Sequence, residues 1–195
     1  MSSAGRGGAS WAAASLALAL LAAGLWFAPR ESLDWQPTRA VSEPWRAWSA
    51  AFVHWNAMHL TANLVGCVVV ALFGAAARAP VRATGAWMLA WPLTHAALWL
   101  QPALTSYGGL SGVLHAGVAI AAWHLLRCGQ GSRRWIGMAV LAGLGVKLML
   151  ERPWLGPTQA VPGWDIPLAP SAHVAGALAG LLCAVLADAM ARWRR

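Results

Sequence analysis

A serine and a histidine, two residue types that act together in many hydrolases, lie near the starts of two apolar segments of this 195-residue chain. Ser111 opens the segment 110–126, and His173 follows the start of the segment 171–191. A serine hydroxyl becomes a good nucleophile when a neighbouring imidazole takes its proton. Contact between the two segments would therefore favour acyl transfer. No carboxylate is evident that would orient His173, so the pattern predicts a Ser-His dyad.

Other polar residues could stabilise the oxyanion that acyl transfer generates. His59 and Asn63 are four residues apart, which places both side chains within about 40° of each other around a helix. Ser111 opens a helix, where backbone N–H groups lack intrahelical acceptors. We therefore expect an oxyanion hole formed by His59, Asn63 and the Ser111 N–H. Gly109 and Gly112 are expected to let a substrate backbone approach.

The elements that carry these residues are apolar throughout. Hydrophobic residues make up 59% of the chain and charged residues 10%, whereas a soluble domain carries roughly 25% charged residues. A membrane-spanning helix needs about 20 apolar residues. The sequence therefore predicts an all-α membrane protein, a single domain with six spans at 11–28, 57–77, 84–102, 110–126, 135–151 and 171–191.

The distribution of basic residues predicts the orientation of the spans. Nine arginines fall on one side of a six-span arrangement: Arg6, Arg78, Arg82, Arg127, Arg133, Arg134, Arg192, Arg194 and Arg195. Four fall on the other side, where acidic residues nearly cancel them: Arg30, Arg39, Arg46 and Arg152. Basic residues concentrate on the cytoplasmic side. Both termini are therefore expected in the cytoplasm, with exterior loops at 29–56 and 152–170.

This orientation places the candidate site residues at one depth. His59, Asn63, Ser111 and His173 all lie near the exterior ends of their spans, and polar groups within spans are costly and usually functional. The exterior loop 152–170 contains five prolines and is expected to cover the site without regular structure. Tryptophans near span ends, among them Trp11 and Trp87, are expected to form an interfacial belt.

Several other classes of protein are disfavoured. The net charge of +8 is explained by topology, and neither nucleic-acid nor nucleotide motifs occur. The sequence contains no Cys/His metal spacing, and His54 and His59, five residues apart, would diverge by about 140° on a helix. We expect no metal and no cofactor. A transporter would carry its polar groups at the midplane on broken helices, whereas the polar residues of this chain cluster near one face, so a transporter is disfavoured.

Residues 1–28 could be a signal peptide rather than a membrane span. No A-x-A cleavage site follows them, so we expect them to be retained.

The motifs together resemble those of the rhomboid family of intramembrane serine proteases. The resemblance includes Trp45-Arg46, His54 with His59 and Asn63, the run Gly109-Leu110-Ser111-Gly112, and Ala172-His173 followed by Gly176 and Gly180. It implies a six-helix bundle in which Ser111 is the nucleophile and His173 the general base. By the same resemblance, His59, Asn63 and the Ser111 N–H form the oxyanion hole, and residues 152–170 form the cover loop.

Two features resemble the rhombosortase branch of that family. His115 lies four residues after the serine, and the segment Lys147-Leu148-Met149-Leu150-Glu151 ends the fifth span. The branch implies a single-pass membrane substrate with a C-terminal Gly-Gly sorting signal, cut at the periplasmic side of a bacterial inner membrane. Lys147 and Glu151 could neutralise each other, and His115 could hydrogen-bond beneath the active site or hold water there. Alternatively, Glu151 or His115 could contact the substrate. The alternative function is that of a catalytically inactive rhomboid-like protein that binds membrane clients.

Overall fold

The computed structural model describes residues 3–101 and 103–193, and this part of the chain is helical with only isolated β-bridges. Within those ranges the α-helices are α1 Ser3–Gly24, α2 Arg46–Ser49, α3 Ala57–Ala76, α4 Val81–Ala96, α5 Ser111–Cys128, α6 Ser132–Leu150 and α7 Pro170–Trp193. Pro102, in the third predicted span, and Arg194 and Arg195, used above for orientation, lie outside the described residues.

The six predicted apolar segments coincide with the six long helices. The prediction was least accurate at α1, which runs over Ser3–Gly24 rather than 11–28. The third segment is divided, because α4 ends at Ala96 and a 3-10 helix follows at Ala97–Leu100. Within the described residues, three helical stretches are long and apolar enough to cross a membrane: Arg6–Gly24, Ala57–Ala76 and Pro170–Trp193. The chain therefore has the character of a membrane protein.

Helix α5 lies inside the bundle and packs against α3, α4, α6 and α7. Its interior position explains its composition, because small residues let neighbouring helices approach closely. The closest approach is to α7: an added Cβ at Gly180 would lie 2.6 Å from the Ala116 carbonyl oxygen, and one at Gly176 would overlap the Gly112 carbonyl. Gly176 and Gly180 therefore allow α7 to pack closely against α5.

The tryptophans near span ends have more than one role. Trp99, Trp135 and Trp193 are exposed, as an interfacial belt requires. Trp11 and Trp87 are instead fully buried, and their rings stack with centroids 4.6 Å apart. Each indole N–H donates to a backbone carbonyl, of Val70 and Val113 respectively, at 2.8 Å. For these two residues the predicted belt position was wrong, because a satisfied indole N–H makes burial in the core favourable.

The loop between α1 and α3 is organised around a buried arginine. Arg46 Nη1 donates to the Asp34 carboxylate at 2.9 Å and to the Asp34 carbonyl at 2.8 Å, while its Nε donates to Glu43. The loop also contacts the segment before α5, since Trp35 and Tyr107 form a β-bridge. These contacts hold the loop against the end of the bundle where α5 and α7 begin.

The cover loop, residues 152–170, has more structure than its prolines indicated. It contains a 3-10 helix at Pro153–Leu155 and a β-bridge between Gln159 and Leu168. The Gln159 side-chain amide donates to the Arg152 carbonyl at 2.7 Å. The expectation of a segment without regular structure was therefore wrong, because these backbone groups pair with one another across the loop.

Candidate active site

The start of α5 and the start of α7 meet, and this meeting brings the predicted nucleophile and base together. Ser111 is the first residue of α5, and His173 lies in the first turn of α7. The distance from Ser111 Oγ to His173 Nε2 is 3.0 Å, within hydrogen-bonding range for proton transfer. The structure thus brings together two residues that are 62 positions apart in the sequence.

A carboxylate also contacts the histidine. Glu151, the residue that follows the last turn of α6, places Oε2 2.8 Å from His173 Nδ1. The expectation that no carboxylate is placed to orient His173 was wrong. In the sequence, Glu151 lies one helical turn from Lys147, which indicates a local ion pair. Its contact with α7 could not be predicted, because it depends on the path that the cover loop takes from α6 to α7.

Lys147 and His115 complete the surroundings of this pair. Lys147 Nζ forms an ion pair with Glu151 Oε1, as the four-residue spacing indicated. The His115 ring stacks on the His173 ring, with centroids 4.3 Å apart and 13° between the planes. His115 Nδ1 lies 2.6 Å from the Ser111 carbonyl oxygen. His115 therefore contacts the Ser111 backbone and packs against the His173 ring, which is the structural one of the roles expected for it.

His59 and Asn63 lie next to the Gly109-Ser111 segment, as predicted. Both are buried on α3, and the Asn63 side-chain amide donates to the His59 carbonyl at 2.9 Å. An added Cβ at Gly109 would lie 2.8 Å from His59 Nε2 and 3.9 Å from Asn63 Nδ2. Gly109 also has a φ of +130°, which only glycine adopts readily. The loop thus passes close to both side chains.

The expectation for Gly112 was wrong. An added Cβ there would lie 2.7 Å from the Ala172 carbonyl oxygen of α7 and 2.8 Å from the Thr94 methyl group of α4. The absent side chain therefore makes room for neighbouring helices rather than for a substrate backbone. This contact between α5 and α7 lies next to Ser111 and His173, so it contributes directly to their spacing.

Two cavities meet at the serine and the histidine. One, of about 400 Å³, lies under the cover loop and is lined by Trp55, Tyr107 and Pro167 besides Ser111 and His173. The other, of about 910 Å³, extends between α3 and α6 along apolar residues, with Val65, Val69, Val140, Leu144 and Trp164 among its walls. His59 lines both cavities. A chain entering between α3 and α6 would reach Ser111 from the side.

Tyr107 is a site residue that was not predicted from the sequence. Its hydroxyl donates to the Gly109 carbonyl at 3.3 Å and lies 3.5 Å from Ser111 Oγ. Burial raises the pKa of the Tyr107 phenol, so the hydroxyl stays protonated. One feature of the sequence could have pointed to Tyr107: it is the only tyrosine of the chain and lies four residues before the candidate nucleophile.

The histidines of the described residues form no metal site. No group of three or more His, Cys, Asp or Glu residues in residues 3–101 and 103–193 is arranged to hold a metal ion. The His54 and His59 rings nevertheless lie 4.9 Å apart. The divergence expected from helical spacing does not apply, because His54 precedes α3 and lies in the preceding loop.

No protein-family model matches this chain, and no curated protein matches it in sequence. The interpretation of the site therefore depends on its own geometry.

Proposed function

We propose that this protein is an intramembrane serine endopeptidase of the rhomboid type, with Ser111 as nucleophile and His173 as general base. The observation that carries the proposal is the 3.0 Å contact between Ser111 Oγ and His173 Nε2. The contact lies where an apolar cavity meets the space under the cover loop. Both a peptide and its attacking nucleophile can be accommodated there.

The first half of the reaction forms an acyl-enzyme. His173 Nε2 takes the proton of Ser111 Oγ as the oxygen forms a bond to the scissile carbonyl carbon, and the carbonyl oxygen becomes an oxyanion. The carbon–nitrogen bond then breaks, and the proton on His173 passes to the leaving amine. The released part of the substrate carries the new amino terminus, while the rest stays bound to Ser111 as an ester.

The oxyanion requires donors that are already in place. The backbone N–H of Ser111 lies at the start of α5, where the helix dipole also favours negative charge. His59 and Asn63 are buried and lie beside Gly109. We assign these groups to the oxyanion hole, where the substrate oxygen would compete with the His59 carbonyl for the Asn63 amide.

The second half of the reaction releases the acyl group. Water or an amine attacks the ester carbon and gives its proton to His173 Nε2. The bond between carbon and Ser111 Oγ breaks, and the same proton returns to the serine. The enzyme is then restored without a cofactor.

The proposed membrane arrangement has six spans, with both termini in the cytoplasm. The basic residues of the bundle collect at the end opposite the site: Arg82, Arg127 and Arg192 line one small cavity with Asp188. Ser111 and Arg127 lie at opposite ends of α5, roughly 24 Å apart at 1.5 Å per residue. With the basic end in the cytoplasm, the site faces the exterior of a bacterial inner membrane.

The proposed substrate is a single-pass membrane protein with small residues near the exterior end of its helix. Glycine disfavours helix by about 1 kcal/mol relative to alanine, so a Gly-Gly sorting signal of the rhombosortase type unwinds at little cost. The apolar cavity between α3 and α6 suits entry of such a segment from the bilayer. The unwound backbone would then pass between Ser111 and the donors beside Gly109.

The test is co-expression with a membrane-anchored reporter that carries a Gly-Gly segment, a transmembrane helix and a basic tail. Ser111→Ala and His173→Ala are expected to abolish processing. Ser42→Ala and His124→Ala, which change the same residue types away from the site, are expected to process the reporter like the wild type. Equal processing by all five proteins would overturn the proposal and would favour the inactive, client-binding alternative.

A further inference from the structure

Glu151 links the end of α6 to the start of α7 through a single pair of atoms. Its Oε2 lies 2.8 Å from His173 Nδ1, on the side of the ring opposite the nitrogen that faces Ser111. We infer that Glu151 is a positioning residue that orients His173, so that the proposed protease works with a Ser-His-Glu triad. This inference rests on the proposed function and deepens it.

The geometry determines which nitrogen of His173 carries the proton. A carboxylate accepts hydrogen bonds and cannot donate them when ionised, so contact with Glu151 keeps the proton on Nδ1. Nε2 then presents its lone pair to the Ser111 hydroxyl. When His173 takes the serine proton, both nitrogens carry hydrogen, and the carboxylate stabilises the resulting imidazolium.

Lys147 holds the carboxylate in the orientation that this role requires. It pairs with Oε1 and leaves Oε2 for His173. The four-residue spacing makes this pairing local. The orientation of the Glu151 side chain therefore depends on a contact at the end of α6 as well as on its contact with α7. The titratable groups around the His173 ring are then His115 of α5, His59 of α3, and Lys147 and Glu151 of α6.

A purely structural ion pair makes a different prediction from a positioning role. If Glu151 only neutralised Lys147, replacing both charges together would leave the reaction at Ser111 unaffected. If Glu151 orients His173, the reaction slows whenever the carboxylate is removed, whether or not Lys147 is present. The double variant Lys147→Met/Glu151→Gln therefore separates the two roles.

The experiment measures the rate at which a fluorophosphonate probe labels Ser111 in the detergent-solubilised full chain, between pH 5 and 9. The probe reacts with an activated serine hydroxyl and needs no knowledge of the natural substrate. The variants are Glu151→Gln, Glu151→Asp, the double variant, and the control Asp165→Asn, which changes an exposed carboxyl of the cover loop. Thermal unfolding of each variant checks that the bundle remains folded.

We expect Glu151→Gln and the double variant to be labelled about 10- to 100-fold more slowly. This loss is smaller than the factor of about 10⁴ for a fully buried triad carboxylate, because the Glu151 side chain is 24% exposed and water can partly replace it. Glu151→Asp is expected to recover part of the rate. The pH profile of labelling is also expected to differ between Glu151→Gln and wild type, because the carboxylate that contacts His173 Nδ1 is removed.

The two hypotheses fail differently. If wild-type Ser111 is not labelled above the level of Ser111→Ala, the proposed function is wrong. If wild type is labelled and Glu151→Gln matches it in rate and pH profile, the triad is wrong while the Ser-His dyad stands. A double variant that recovers the wild-type rate would also overturn the positioning role.

Discussion

The rings of His115 and His173 stack almost in parallel, with centroids 4.3 Å apart. His115 also places Nδ1 2.6 Å from the carbonyl of Ser111, so one side chain of α5 contacts both the Ser111 backbone and the His173 ring. The stack restricts rotation of the His173 ring about its side-chain bonds. An imidazole held in one orientation loses less freedom when it reaches the transition state.

Replacing His115 tests this arrangement. We expect His115→Ala to lower kcat for reporter cleavage about 3- to 30-fold with little change in KM, because ring orientation acts on the chemical step rather than on binding. His115→Phe, which keeps a flat ring in the stack, is expected to retain more activity. His124→Ala, at the other end of α5, is the matched control; a kcat loss as large as that of His115→Ala would contradict the prediction.

The contact between α5 and α7 predicts the effect of enlarging a glycine. Gly180→Ala would place a Cβ 2.6 Å from the Ala116 carbonyl, and overpacking of this kind costs about 1–3 kcal/mol. We expect a lower free energy of unfolding in detergent and slower labelling of Ser111, because α7 must shift and takes His173 with it.

A matched glycine on α6 provides the control for this substitution. An added Cβ at Gly145 has no heavy atom within 4 Å, so Gly145→Ala is expected to leave labelling unchanged and to stabilise the helix by up to about 1 kcal/mol. If Gly180→Ala were as stable and as reactive as Gly145→Ala, the helices would be farther apart than the structure indicates.

Two arginines of the loop between α1 and α3, Arg46 and Arg39, are expected to differ in their contribution to stability. Arg46→Met would leave the buried carboxylate of Asp34 without its cationic partner, and breaking a buried pair costs about 3–5 kcal/mol. Arg39→Met removes only an exposed pair with Glu43, for which the expected cost is about 0–1 kcal/mol. Thermal unfolding measures both, and equal effects would contradict the structural role assigned to Arg46.

The stability of the same loop should depend on pH through His54. Burial lowers the pKa of the His54 imidazole from 6.5 to about 4. Between these values the unfolded chain binds a proton that the folded chain does not, so the free energy of unfolding falls as the pH is lowered from 6.5 towards 4. His54→Asn is expected to weaken this dependence, as measured by chemical unfolding at several pH values. An unchanged slope would show that His54 is not the group responsible.

Much of the fold could be predicted from the sequence because its signals are local. Apolar runs bounded by proline, glycine and arginine predicted the six long helices, although the ends of α1 were displaced by several residues. Ser111 and His173 were identifiable because polar groups in apolar segments are few and costly. Lys147 and Glu151 were identifiable as a pair because they are one helical turn apart.

Other features could not be predicted because they depend on which helices touch. Trp11 and Trp87 are of the residue type, and at the positions near segment ends, that are typical of a membrane interface. Only the stacking of their rings between helices shows that they belong to the core. Gly112 resembles a residue that opens space for a substrate, and only the approach of Ala172 shows that it accommodates α7. In each case the neighbouring atoms come from a distant part of the chain.

By itself, the sequence determined the helical segments, the serine and the histidine near the starts of two of them, and the local pairing of Lys147 with Glu151. Only the tertiary structure decided that Glu151 also reaches His173, at 2.8 Å. The physical reason is that spacing along one helix sets the direction of a side chain, whereas contact between helices depends on how closely their small residues let them pack.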